Sequence, residues 1–299
     1  MLNAMSVDVE DYFQVSAFDK VVTREAWARF EPRVEANTDR VLGLFAEHDV
    51  RATFFVLGWV AERHPALVRR IAAAGHEIAS HGFGHQLVYE LDPERFRDDV
   101  RRAKRQLEDT AGQAIAGYRA PSYSITKQSL WALDVLVEEG YRYDASIFPV
   151  HHDRYGIPDA PRHPYVLERA AGRLVEAPPS TVRVGRVNLP VAGGGYFRIL
   201  PFTWTRWGIA RVNRHEGQPV IFYLHPWEVD PGQPRLGADA VGRFRHYRNL
   251  HKTEPRLRRL LELFRFGRVI DVLGPWLPEA RRSGSDSRHD EPLAGSQTA

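Results

Sequence analysis

Five short apolar runs punctuate the first 150 residues, at Ala4–Val9, Ala52–Leu57, His76–Ser80, Tyr118–Ser122 and Tyr141–Ile147. Helical patterns fill the intervals, and that alternation predicts parallel β/α units. Ala52–Leu57 is almost unbroken, as in a strand covered on both faces. The first helix is predicted over 37–48, with Val41, Leu42, Leu44 and Phe45 on one face and Asn37 or Thr38 as its cap. Pro65 opens a second helix carrying Leu67, Val68, Ile71 and Ala72, and Gly75 suits its end. Asp92-Pro93 starts a long third helix to Ala111, with Phe96, Val100, Ala103 and Leu107 inward. Thr126 caps a fourth that stops at Gly140. Units recurring every 25–40 residues favour closure into an irregular (β/α) barrel over an open sheet.

After residue 148 the rhythm loosens. Prolines crowd this stretch, and with the run Gly193-Gly194-Gly195 they predict long loops. Pro219–Leu224 is a further buried strand and Pro255–Phe264 an amphipathic helix. Residues 281–299 lack apolar periodicity and are expected to be a disordered tail. The predicted organisation is one catalytic unit over 1–280, whose part from about 195 is a C-terminal extension packed on the barrel.

Composition excludes several classes. The chain has no cysteine, so disulfides, thiolate metal sites and a cysteine nucleophile are ruled out. A net charge of +3 is too small for a nucleic-acid footprint. No run reaches the ~20 apolar residues of a membrane span. The first residues enter a strand pattern with no signal-peptide features, so the expected location is cytoplasmic.

Ionisable residues gather at the C-terminal ends of the predicted strands, the edge where parallel β/α folds carry their active sites. Asp8-Val9-Glu10-Asp11 closes the first strand. Three carboxylates in four residues repel, so at least one calls for a cation or a raised pKa. The plainer alternative is that Glu10 and Asp11 cap the turn. His81-Gly82-Phe83-Gly84-His85 closes the third strand, and its two glycines argue for a tight loop aiming both imidazoles at one point. With a carboxylate it makes a two-His, one-carboxylate metal site with open positions for water. Arg119 can orient a carboxylate, and Pro121 shapes a turn able to offer backbone N–H groups to an oxyanion. His225, closing the last buried strand, suits a general acid, although a lone histidine there is more often a packing residue.

Taken in order, these clusters resemble the polysaccharide deacetylase family, of the chitooligosaccharide-deacetylase type. The resemblance covers about residues 4–230. The remainder, including Gly193–Arg198 and His225–Asp230, looks like a subfamily found near exopolysaccharide and exosortase loci. The family implies a metal-dependent hydrolase removing N-acetyl groups from an amino-sugar glycan, with a divalent metal, foremost Zn²⁺. It implies Asp8 as base, oriented by Arg119, and His225 as acid. His81, His85 and either Glu10 or Asp11 are the implied metal ligands, strand alternation favouring Glu10. Asp144 matches the family's fourth motif, and a backbone N–H near Tyr123 would line the oxyanion hole. Trp227, Tyr196 and Phe197 are candidates to stack on sugar rings. The implied partner is the N-acetylated glycan, and no oligomeric state follows. The rival reading is an allantoinase-like hydrolase of cyclic amides, which shares the scaffold.

Overall fold

The structure, a computed structural model, describes residues 1–277. The expected tail at 281–299 lies outside the described residues. Eleven strands are described: β1 Leu2–Val9, β2 Thr53–Val56, β3 Glu77–Ser80, β4 Gly117–Tyr118, β5 Tyr143–Asp144, β6 Tyr165–Arg169, β7 Gly172–Glu176, β8 Thr181–Val184, β9 Val187–Pro190, β10 Ile221–Leu224 and β11 Arg265–Gly267. The helices are α1 Val34–Glu47, α2 Gly58–Arg63, α3 Pro65–Ala73, α4 Pro93–Ala111, α5 Ala132–Glu138, α6 Gly194–Ile199, α7 Phe202–His215, α8 Ala240–Tyr247, α9 Thr253–Leu263 and α10 Val269–Val272, with short 3₁₀ turns between.

The main sheet runs β10-β1-β2-β3-β4-β5-β7-β6, with β11 on the first residues of β1. Every pairing from β10 to β7 is parallel, and only β6 is antiparallel. Closure is irregular. Past β7, Ala177 N–H still donates to Asp144 O (2.8 Å), while Ser180 N–H donates to Ile221 O of β10 (3.2 Å). One extended segment thus joins the two sides into the expected barrel. Gly193 seals the seam: it bridges Tyr223, and a Cβ there would stand 1.8 Å from Tyr223 O. The glycine run therefore answers a close backbone approach.

Two apolar layers hold the barrel. Outside, β-sheet residues such as Phe54, Val56 and Ile78 pack on Leu44, Phe45, Leu67, Ile71 and Val100 of the helices. Inside, Ala4, Phe55, Ala79, Ala145 and Ala177 line the lumen, and Val269, Val272 and Leu273 plug its lower end. Small residues inside leave room for one arginine, Arg119, over the Phe55 ring at 4.1 Å.

Local differences from the sequence reading have physical reasons. The first helix begins at Val34, so Asn37 and Thr38 lie inside it, and neither caps it. Its first N–H groups are instead met by Asp11 across the fold. The fourth strand stops at Tyr118 because Pro121 imposes a 3₁₀ turn. The fifth is confined to Tyr143–Asp144.

Candidate active site

β1 aims Ser6, Asp8 and Glu10 to one side, the period-2 consequence of a strand. Arg119, fully buried just past β4, reaches back into the lumen. Its Nη1 donates to Asp8 Oδ1 (2.6 Å) and to Ser6 Oγ (2.8 Å), and its Nε to Ala145 O (3.3 Å). Asp8 Oδ2 stays turned toward His225 Nε2, 3.9 Å away.

The loop after β3 is bent to bring its two imidazoles together. Gly82 has φ +73°, and His85 itself sits at φ +50°, where a side chain is strained. Asp99 on α4 holds the loop by accepting Phe83 N–H (2.8 Å) and Gly84 N–H (3.2 Å). Arg24 braces it from outside, donating to the carbonyls of Gly84 and His85. His81 Nδ1 contacts Arg119 O (2.8 Å), which leaves Nε2 for the site. Glu10, His81 and His85 then converge, each offering one ligand atom, all within 4.8 Å of one another and all buried.

This trio fits a divalent cation on its own geometry. His85 Nε2 lies 2.7 Å from Glu10 Oε2, yet Glu10 Oε2 makes no hydrogen bond. Burial opposes the charge of Glu10, but His85 beside it, with His225 and His81, holds the carboxyl well below its ordinary range. Burial pushes His81 down to about 4, so it is a neutral imidazole with a lone pair to offer.

His225 follows β10 and is fixed by a chain of its own. Its Nδ1 is 2.5 Å from Glu228 Oε1, and Glu228 Oε2 accepts from Arg198 Nε (2.7 Å). The remaining Arg198 donors go to carbonyls of Arg245, His246 and Arg248. Burial alone would lower His225, but the Glu228 hydrogen bond and the charges of Glu10, Glu228 and Asp8 hold it up to about 9. Its Nε2, 3.7 Å from Glu10 Oε1, points into the cleft.

Several predicted residues are placed elsewhere. Asp11 is not in the trio: Oδ1 accepts Tyr12 N–H (2.9 Å), and Oδ2 accepts Arg33 N–H (2.7 Å) and Val34 N–H (3.0 Å). Asp144 does not line the cleft. It is wholly buried, accepts from Ser146 Oγ (2.5 Å) and is the ladder partner of Glu176. Trp227 lines the cleft at 4% exposure, but its Nε1 donates to Glu10 Oε1 (3.0 Å). Its ring is stacked on His225 and on His246. That positions Glu10 and leaves little surface for a sugar. Phe197 is core. Tyr123 lines the cleft, but its N–H is spent on Ala120 O (3.0 Å). Ser122, at φ +51°, is the neighbouring turn residue that shares the wall.

Sequence reasoning assigned no role in the site to Arg198, His246, Asp99 or Arg24. They come from distant segments and carry no local pattern. Glu228 had a signal, three residues after His225, the spacing that closes a capping turn.

Asp8, Glu10, His81, His85 and His225 line one cavity of about 180 Å³, walled further by Tyr89, Tyr155 and Tyr223. Comparison with known proteins finds a polysaccharide deacetylase model over residues 18–143 and a domain of unknown function, DUF3473, over 145–274. The chain is 35% identical over 99 residues to a chitooligosaccharide deacetylase of Bradyrhizobium sp. (33% of this chain, 43% of that protein). It is 34% identical over 98 residues to a peptidoglycan-N-acetylglucosamine deacetylase of Bacillus cereus (32% and 36%). The matches thus span less than half of these curated relatives. A crystal structure from Mycobacterium smegmatis, assigned as a polysaccharide deacetylase, superposes with TM-score 0.61 at 22% identity (95% of this chain, 93% of that one). The PuuE allantoinase structure superposes with TM-score 0.60 at 18% identity (91% and 89%). At such identities the likeness concerns the fold. Asp8 and Glu10 precede the first matched stretch, His81, His85 and Arg119 lie within it, and His225, Glu228 and Arg198 lie within the second. Over residues 18–143 the chain matches the polysaccharide deacetylase family model, and over nearly its whole length it shares the fold of the Mycobacterium smegmatis structure.

Proposed function

We infer that this chain hydrolyses N-acetyl groups on an amino-sugar glycan, in exopolysaccharide or cell-envelope metabolism. The observation that carries the reading is the convergence, in one cleft, of an Asp8–Arg119 pair, a Glu10–His81–His85 trio and a His225–Glu228 pair. Glu10, His81 and His85 would hold the cation, Zn²⁺ foremost. When bound, it supplies Lewis acidity, lowering the pKa of a water and polarising the acetyl carbonyl.

The chain's own residues do the rest. Arg119 orients Asp8 and leaves Oδ2 facing the cleft to take the proton of the attacking water. A backbone N–H of the Ser122 turn, held in a left-handed conformation, is the candidate donor to the developing oxyanion. Glu228 on Nδ1 leaves Nε2 of His225 to protonate the departing amine, which is otherwise too basic to leave. Tyr123, Tyr155 and Tyr223 form the apolar wall against the sugar.

Acetate release by the zinc-loaded protein from a panel of N-acetylated oligosaccharides tests this, with allantoin alongside. Release that disappears in His81→Ala together with the bound metal is the expected result. Opening of allantoin without acetate release from any sugar would replace the reading with cyclic-amide hydrolysis.

A further inference from the structure

The cleft holds cations that the reaction above does not use. Arg154 and Arg245 line the same cavity as Asp8, Glu10 and His225. Arg154 spends one donor, Nη2, on Ser16 O (3.2 Å). Arg245 Nη1 stands 3.7 Å from Asp153 Oδ1, an ion pair too long for a hydrogen bond, and its side chain is 47% exposed. Between them His152 is stacked flat on Tyr155, ring centroids 3.8 Å apart. The acids nearby are Asp153, which also contacts His152 Nδ1 (3.0 Å), and Asp19. Both are exposed and outside the cavity lining. Of the carboxylates that do line it, Asp8 pairs with Arg119 and Glu10 sits within the trio with His81 and His85.

Guanidinium groups with free forks match carboxylate or phosphate oxygens in paired, charge-assisted hydrogen bonds. An uncharged chain of N-acetyl sugars would leave two such charges facing only hydroxyls.

Resting on the deacetylase reading, we propose that Arg154 and Arg245 form an anion subsite, so that the preferred substrate carries an acidic residue, a uronate or a phosphate-bearing sugar, beside the N-acetylated one. The subsite adds binding and places the acetyl group; the chemistry stays with the residues already named.

Two tetrasaccharides test it: neutral chitotetraose, and a hyaluronan tetrasaccharide in which N-acetylglucosamine alternates with glucuronate. The zinc-loaded protein should show kcat/KM for acetate release at least tenfold higher on the acidic one at low salt. That ratio should shrink as NaCl rises, and it should fall toward one in the double variant Arg154→Gln, Arg245→Gln. An equal or lower kcat/KM on the acidic substrate overturns the subsite. Release from neither substrate overturns the deacetylase reading instead. Calorimetric binding of the two tetrasaccharides to the wild-type and double-variant proteins then decides the subsite without turnover. Tighter binding of the acidic one that is lost in the variant supports it, and equal binding refutes it.

Discussion

At the mouth of the barrel Glu10 is buried among imidazoles, whereas at the closed end Glu77 is buried among neutral donors. Both are almost fully out of water. Burial raises each carboxyl, but at Glu10 the neighbouring imidazoles, His85 foremost, overcome it. Glu77 has only the Thr53 hydroxyl, Ile270 N–H (3.2 Å) and Tyr143 OH (2.9 Å), with Arg268 more distant, and it rises to about 7. The buried Asp144–Glu176 pair behaves like Glu77: burial pushes both carboxyls up, and Asp144 repels Glu176 further. Desolvation is common to both ends, and a cationic neighbour decides the charge. Glu10, among imidazoles at the mouth, is thereby kept anionic, whereas Glu77 at the closed end serves as a hydrogen-bonding plug under α10.

Removing the cation from the mouth is the harshest break. Arg119→Met would strand Asp8 beside an apolar chain and leave Ser6 Oγ without its donor. Breaking a buried ion pair on one side costs about 3–5 kcal/mol. Urea unfolding near pH 7 should show a loss of that size, and a loss under about 1 kcal/mol would mean that Asp8 does not depend on this partner.

At the closed end the expected effect is smaller and depends on pH. The folded-state pKa of Glu77, about 7, lies above its ordinary 4.5. Between those values the folded state binds more protons than the unfolded one, so stability from this group is full below about pH 4.5 and falls as pH rises through 7. At one pKa unit per 1.36 kcal/mol the fall is at most about 3 kcal/mol. Glu77→Gln removes the titration, so its unfolding free energy should lose less between pH 5 and 8 than the wild type does. Parallel curves for the two proteins would contradict the neutral-plug assignment.

The contrast was only half legible in the sequence. Apolar runs and proline and glycine stops located the early strands and the helices at Pro65 and Asp92, because those signals are local. Short β4 and β5 and the irregular closure at 177–193 were not, since their hydrogen bonds join residues far apart in the chain. At the site, Asp8, His81, His85, Arg119 and His225 stood out as chemical types at strand ends. Their supports did not: Arg198 reaches Glu228 and Asp99 reaches Phe83 and Gly84 through tertiary packing alone. Asp144 and Trp227 were legible as residues but not in orientation, because burial and stacking partners decide which way they serve.

The finest version of the comparison lies between neighbours. Glu10 and Asp11 are adjacent carboxylates, yet strand alternation sends one into the trio and the other to the start of α1. Asp11 is buried with three N–H donors, and burial still lifts it to about 6. Truncating it removes the acceptor for Arg33 and Val34, a loss akin to an N-cap deletion of about 1–2 kcal/mol. Asp11→Ala should therefore lower the urea midpoint modestly and keep the metal content of the wild type, measured by atomic emission after loading with zinc. Glu10→Ala should do the reverse, losing most of the metal because two imidazoles alone hold a divalent ion weakly. Equal metal loss in the two variants would show that the carboxylates act as one unit, and the division drawn here by strand geometry would fall.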